Sequence, residues 1–292
     1  MRTKVAGILV AALIIATIPV MLIFCGKMKT MKTKTDDNRI TLPSIAAVPK
    51  GYWAKLAEKR IFFGHQSVGY NIIDGIKDVI SEYDHIRLNI VETQEPSKFD
   101  QPIFAHARVG KNMEPVSKIE GFKNIMDAGA GNKVDIAFLK FCYIDVMRDS
   151  DPQRILDDYS SAIEDLKVRY PKTKFLHVTV PICSRPKSIK RALKESIKRL
   201  IGRPGVLDDN KMRQCYNTLL KDAYSQKEPI FDLALIESVN PIGCRYYATK
   251  GTAKVCVMVP EYTDDGGHLN KLGRKRVAEQ LLIVLAQIAN NP

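Results

Sequence analysis

Arg60-Ile61-Phe62-Phe63-Gly64-His65-Gln66-Ser67-Val68-Gly69 is the stretch that decides the fold. Arg60 to Phe63 is β-branched and aromatic, which suits a strand, and Gly64 marks where that strand ends. From Asn71 to Ser81 the apolar residues recur at helical spacing and predict a helix. A strand that runs straight into a helix is the opening unit of an α/β fold, because parallel strands need long crossovers.

The same alternation continues along the chain. Ile86–Val91 and Ile103–Val109 predict strands, and Pro115–Ala128 a helix. Val134–Tyr143 is a continuous apolar run broken only by Asp135 and Lys140, and reads as a buried strand. Pro152–Tyr170 is helical, Lys174–Val180 a strand, Asp209–Tyr224 a helix and Ile230–Ile236 the last parallel strand. Asn270–Ile288 predicts a closing helix with Leu272, Val277, Leu281, Leu282 and Leu285 on its apolar side. The expectation is a three-layer, doubly wound α/β domain with a mostly parallel sheet flanked by helices. In such a fold chemistry lies beyond the carboxyl ends of the strands. Two segments look like additions to this unit: a basic helix within Arg185–Arg203 and the loop Pro241–Pro260.

Ser67 follows the first strand at the turn into a helix. There its hydroxyl stands above the sheet and its N–H lies at a helix N-terminus, where an oxyanion is stabilised. The competing reading is a serine that caps the helix. At the other end of the chain, Asp264-Asp265-Gly266-Gly267-His268-Leu269-Asn270 immediately precedes the last helix. Asp265 and His268 are three residues apart in a glycine-containing turn. The carboxylate can hold one imidazole nitrogen while the other faces a nucleophile.

In these two blocks the chain resembles the SGNH, or GDSL-like, hydrolase superfamily, whose first block follows the first strand and whose Asp-x-x-His precedes the last helix. The resemblance covers the element order from about Tyr52 to the C-terminus, with specific matches confined to short blocks. It implies Ser67 as nucleophile, Asp265 as orienting acid and His268 as base. It also implies an oxyanion hole from the N–H groups of Ser67 and Gly110. The first block departs from the pattern: Gly-His-Gln-Ser stands where the family has Gly-Asp-Ser, one residue longer. The family's third block, Gly-x-Asn-Asp, is here Cys142-Tyr143-Ile144-Asp145, without the asparagine donor. Asn112 or Gln66 is then the side chain available to replace it, and His65 with Gln66 the pair available to touch substrate.

The implied activity is hydrolysis of an acyl ester, with acetyl a candidate, on a small molecule or glycan, without a cofactor. Two alternatives stay open: an O-acyltransferase that passes the acyl group to a sugar hydroxyl through the same triad, and a non-catalytic envelope binding protein that keeps the fold. A metal held by His65, His106 and His268 has no ligand spacing to support it. His177, inside a strand, reads as a core histidine, and His85 as a solvated one.

The remaining signals concern location. Val5–Phe24 is an uncharged, almost wholly apolar run of 20 residues after Arg2 and Lys4, long enough to span a bilayer. It reads as a signal anchor over residues 1–27, followed by a linker over 28–51 and the domain over 52–292. The run ends in Phe24 and Cys25 where a cleaved signal has small residues, and although Cys25 offers a lipidation site, the large Phe24 before it makes a lipoprotein the minority reading. The domain is then extracytoplasmic, periplasmic or at the cell surface.

The formal net charge is +13. Six of those positives (Arg2, Lys4, Lys27, Lys29, Lys32 and Lys34) precede the first acid, leaving +7 for the rest of the chain. The basic helix over Lys187–Arg203 could meet an acidic glycan or anionic lipid, but a solvated helix face is the favoured reading. Nucleic acid is excluded by the anchor and by the absence of interleaved aromatics. Six cysteines without a CxxC pair exclude metal ribbons and redox motifs. An oxidising location makes Cys244–Cys256 the expected bridge, with Cys142 and Cys183 as buried thiols.

Overall fold

The computed structural model describes residues 34–35, 39–186 and 205–291. The expected anchor, part of the expected linker (28–33 and 36–38) and the basic helix from Lys187 lie outside the described residues.

Strand β1 (Arg60–His65) occupies the middle of a five-stranded sheet, between β3 (Ile103–Arg108) and β4 (Ile136–Leu139). Outside them lie β2 (Ile90–Glu92) against β3 and β5 (Lys174–Phe175) against β4. Every pairing is parallel. After Leu176, β6 (His177–Val178) pairs in parallel with β7 (Ile230–Phe231). The chain builds β2 and β3 on one side of β1 and then crosses to build β4 and β5 on the other. Strand order therefore reverses at β1, and the crevice beyond its carboxyl end is where this topology places a ligand.

Pleating sends alternate residues of β1 to opposite faces. Ile61 and Phe63 join one core with helices α1 (Lys50–Ala57), α2 (Val68–Glu82) and α7 (Lys271–Asn290). Phe62 joins the other with α3 (Pro115–Ile125), α4 (Pro152–Arg169) and α5 (Val206–Tyr224). The mostly parallel, helix-flanked sheet is the one expected. Among the described residues no helix is long and apolar enough to cross a membrane.

Three local expectations change. Ile230–Ile236 is a strand for two residues only. The Asp232 side chain then accepts the Leu235 N–H at 3.2 Å and starts helix α6 (Leu233–Ser238), a cap outweighing an apolar run. The loop Pro241–Pro260 contains a hairpin, β8 (Tyr246–Lys250) and β9 (Ala253–Cys256), turning at Gly251 with φ +60°, and Lys34–Thr35 pairs with β8, which becomes the middle of three strands. The expected bridge is absent: Cys244 and Cys256 are not joined to each other. Cys256 stands opposite Tyr247, three residues beyond Cys244, so the two Cα atoms are about 10 Å apart at strand spacing, too far for a disulfide.

Chain packing on the domain begins ahead of Tyr52. Ile45 is buried, and Gln280 donates to the Pro43 carbonyl at 2.8 Å.

Candidate active site

Ser67 is the N-cap residue of α2, two residues past the end of β1, and its side chain makes no capping hydrogen bond. The capping role is therefore not what occupies this hydroxyl. Tyr70 donates its N–H to the Ser67 carbonyl at 3.0 Å and Gly69 to that of Gln66 at 2.7 Å, so the turn is closed by backbone alone.

Gln66 braces this turn against the next strand's loop. Its amide nitrogen donates to the carbonyls of Gly110, at 2.8 Å, and Val109, at 3.2 Å. Both donors are used, so Gln66 is not the donor for an oxyanion or substrate that the sequence left open. His65 is corrected in the same way. It is fully buried, with Nδ1 at 3.2 Å from the Gln66 carbonyl and Nε2 at 3.0 Å from His106 Nδ1. Burial, with Lys140 and His106 nearby, pulls its pKa down to about 3. Gly69 is the surface against which the ring packs, since a Cβ there would lie 2.2 Å from it.

Asp265 and His268 pair within their own turn. Asp265 Oδ2 accepts a hydrogen bond from His268 Nδ1 at 2.6 Å. Asp265 Oδ1 takes the N–H groups of Gly267, at 2.9 Å, and His268, at 2.8 Å, and the Thr263 hydroxyl at 3.2 Å. Burial alone would raise this carboxyl, but the two N–H groups and the imidazole outweigh it and hold it well below the usual carboxylate range. With Nδ1 engaged, Nε2 of the half-exposed His268 has no partner among the described residues and is the nitrogen left for a nucleophile. The Tyr143 ring packs edge-on against the imidazole, centroids 5.8 Å apart. Gly267 allows this approach, because a Cβ there would fall 2.8 Å from the tyrosine ring.

The two blocks meet at α2. Leu269 donates its N–H to the Asn71 side chain at 3.2 Å. Asn71 lies four residues after Ser67, one helical turn along the same side. Farther along, a Cβ on Gly75 would sit 2.2 Å from the Arg274 carbonyl, so α2 and α7 touch backbone to backbone. The helix that begins at Ser67 and the helix that follows His268 are thus fixed to each other.

Gly110 follows β3 with φ +57°, and a Cβ there would lie 2.4–2.5 Å from the backbone of Ser117 and Lys118. Only glycine fits. Val109 donates its N–H to the His65 carbonyl at 3.0 Å, so the sheet register carries this loop to the Ser67 turn. Asn112, two residues on, is exposed and accepts from Lys118 Nζ at 3.0 Å through its Oδ1. The third loop, after β4, carries Tyr143 and Asp145. Arg213 clamps it, donating to the carbonyls of Tyr143, at 2.7 Å, and Val146, at 3.1 Å.

No family model matches the chain, and no curated protein matches it in sequence. Among solved structures, the chain is similar to a provisionally named platelet activating factor from Streptococcus pneumonia at 16% identity, over 80% of this chain and 89% of that one, with a TM-score of 0.47. It is also similar to a provisionally named GDSL-like lipase from Parabacteroides merdae, at 10% identity, 78% and 95% coverage and a TM-score of 0.45. A third is a provisionally named SGNH hydrolase from Slackia heliotrinireducens, at 12% identity, 79% and 98% coverage and a TM-score of 0.43. The likeness is to SGNH and GDSL-like structures.

The Ser67 turn, the Gly110 loop and the loop with Tyr143 and Asp145 leave the carboxyl ends of β1, β3 and β4, the three central strands. Sequence reasoning missed Asn71, Lys118, Asp145 and Arg213 as parts of the site. Asn71 and Arg213 sit in helical runs where polar residues carry no signal. Lys118 is a charge at a helical position that periodicity assigns to the core, and that mismatch was the available clue. His177 is the core histidine expected: it bonds the Tyr159 hydroxyl at 2.9 Å and Glu228 at 3.2 Å. Among the described residues no group of three or more His, Cys, Asp or Glu is placed to hold a metal ion.

Proposed function

We propose that the chain is a serine acyl-ester hydrolase using Ser67, His268 and Asp265. The observation that carries this is the Asp265–His268 hydrogen bond of 2.6 Å, in a turn docked one helical turn from a serine whose hydroxyl does not cap its helix.

In the reaction His268 Nε2 removes the Ser67 proton as Oγ attacks the acyl carbon. Asp265 holds the ring in the required tautomer and stabilises the imidazolium. The N–H groups of Ser67 and Gly110 receive the oxyanion. His268 returns the proton to the leaving alcohol. Water, activated by the same imidazole, then releases the acid. If a sugar hydroxyl replaces water in that last step, the same residues perform O-acyl transfer. The apolar run Val5–Phe24 supports anchoring the domain to a membrane on its extracytoplasmic side, with a small-molecule or glycan ester as substrate.

The test uses the full chain in detergent, with a fluorophosphonate probe, acetyl and longer acyl esters, and a glycan acceptor. Labelling and turnover should both be lost in Ser67→Ala, and turnover should fall by orders of magnitude in His268→Ala. A folded wild-type protein that neither labels nor turns over any ester rejects the enzyme reading and favours a binding protein. Acyl transfer to the glycan in place of acid release identifies the transferase.

A further inference from the structure

Lys118 and Asp145 are both fully buried, and their charged atoms meet at 2.5 Å between the loop after β3 and the loop after β4. A buried ion pair is weak evidence of stabilisation, since desolvating two charges costs about what their attraction returns. Its other bonds indicate what it does.

Asp145 Oδ2 also takes the Cys142 N–H at 2.6 Å, and Oδ1 takes the Met113 N–H at 2.9 Å. Met113 has φ +68°, the only left-handed residue other than glycine among the described residues. A non-glycine residue in that region is strained and persists only where its surroundings fix it. Lys118 Nζ donates in addition to Asn112 Oδ1 at 3.0 Å. An ammonium can only donate, so it settles which way the Asn112 amide faces: oxygen toward Lys118, NH₂ away from it. That NH₂ has no acceptor among the described residues, and Asn112 is exposed. On its other side the same loop is tied through Gly110 to Gln66, the residue next to Ser67.

The geometry points to Lys118 and Asp145 as positioning residues that turn the Asn112 NH₂ group outward as a third oxyanion donor beside the N–H groups of Ser67 and Gly110. The inference rests on the hydrolase reading above. Asn112 supplies the hydrogen bond to the oxyanion; Lys118 and Asp145 touch no substrate and act through it.

The test is made on the full chain with the ester that the wild type turns over best. Asn112→Asp keeps an acceptor for Lys118 but removes the donor. It should keep or raise Tm while lowering kcat about 100-fold, with KM changed less than about threefold. Asn112→Ala should lower kcat to the same level. In Lys118→Met/Asp145→Asn, which replaces the pair by neutral groups of similar size, kcat should fall comparably. Adding Asn112→Ala to it should then cost nothing more, because both changes remove one interaction.

Wild-type kcat in Asn112→Asp overturns the inference. So does a fall in Tm in that variant, which would show that Lys118 does not hold position 112. Should the double variant not fold, the two Asn112 variants still decide. A wild type that neither labels at Ser67 nor hydrolyses ester fails the hydrolase reading itself; a wild type that does both beside an unimpaired Asn112→Asp fails only this inference.

Discussion

The backbone N–H of Leu269 donates to the side-chain oxygen of Asn71 at 3.2 Å, joining residues 198 positions apart. Asn71 belongs to the helix that Ser67 starts, and Leu269 directly follows His268, so this bond ties the turn of the proposed base to the helix of the proposed nucleophile. Asn71→Ala leaves the N–H of buried Leu269 without an acceptor, which costs about 1–3 kcal/mol. The expected outcome is a lower urea midpoint and a slower fluorophosphonate reaction at Ser67. A labelling rate equal to wild type at temperatures well below Tm would show that the bond is structural only.

Asp265→Asn tests the acid. Three N–H and O–H donors converge on Oδ1 and the imidazole on Oδ2, and together they hold the carboxyl well below the usual carboxylate range. The acidic limb of the activity profile therefore does not belong to Asp265. An amide at this position can present its NH₂ to the ring and favour the wrong tautomer. Turnover should then fall by about 10⁴, the scale of that change in serine triads. An acid limb that shifts while the maximal rate is kept would contradict the assigned role.

How much of this was legible in the sequence depends on how far each contact reaches. Strand β1, the Ser67 turn and the Asp265–His268 pair are local: strand composition, a helix start and a spacing of three residues carry them. Asn71, Lys118 and Asp145 act across 198 and 27 positions, and nothing near them in the chain announces the partner. His65 and Gln66 mislead for a related reason. Next to a candidate nucleophile they look like substrate contacts, yet the strand register turns His65 onto His106 and gives the Gln66 amide to the neighbouring loop. The Ile230–Ile236 run fails because apolar content does not separate strand from helix over so short a length; Asp232 decides it.

His65 predicts acid lability. Its pKa is about 3 in the folded state against an ordinary value of 6.5, mainly through burial. The unfolded chain therefore binds the extra proton between those values. Stability that is full above pH 6.5 is lost as pH falls toward 3. In His65→Asn the urea midpoint should fall less steeply over pH 6.5 to 4 than in the wild type; parallel curves would show that His65 does not carry the dependence.

Glu237 predicts the opposite slope at higher pH. Burial lifts its pKa to about 8 from 4.5, against the Ile182 N–H bond and the charges of Lys140 and Arg213. The folded state therefore keeps a proton that the unfolded state loses, and stability falls as pH rises from 4.5 to 8. Glu237→Gln imitates the protonated form, so it should flatten that fall and give the higher urea midpoint at pH 8. An unchanged difference between the two proteins at pH 5 and pH 8 would reject this account.

Gly75 sets the spacing of α2 and α7. Its missing Cβ lets α2 approach the Arg274 carbonyl, and the carbonyl is backbone, so it cannot turn aside as a flexible side chain would. Gly75→Ala must push α2 and α7 apart, at a cost of about 1–3 kcal/mol for overpacking. Because α2 carries Ser67 at its start and α7 follows His268, the displacement moves nucleophile and base relative to each other. Turnover should therefore drop by more than the loss of folded protein explains. Gly51→Ala is the control: it lies in α1 with open space around it, and should leave both Tm and turnover at or above wild type. If Gly75→Ala lowers Tm but keeps wild-type turnover when folded, the helix pair does not set the catalytic distance.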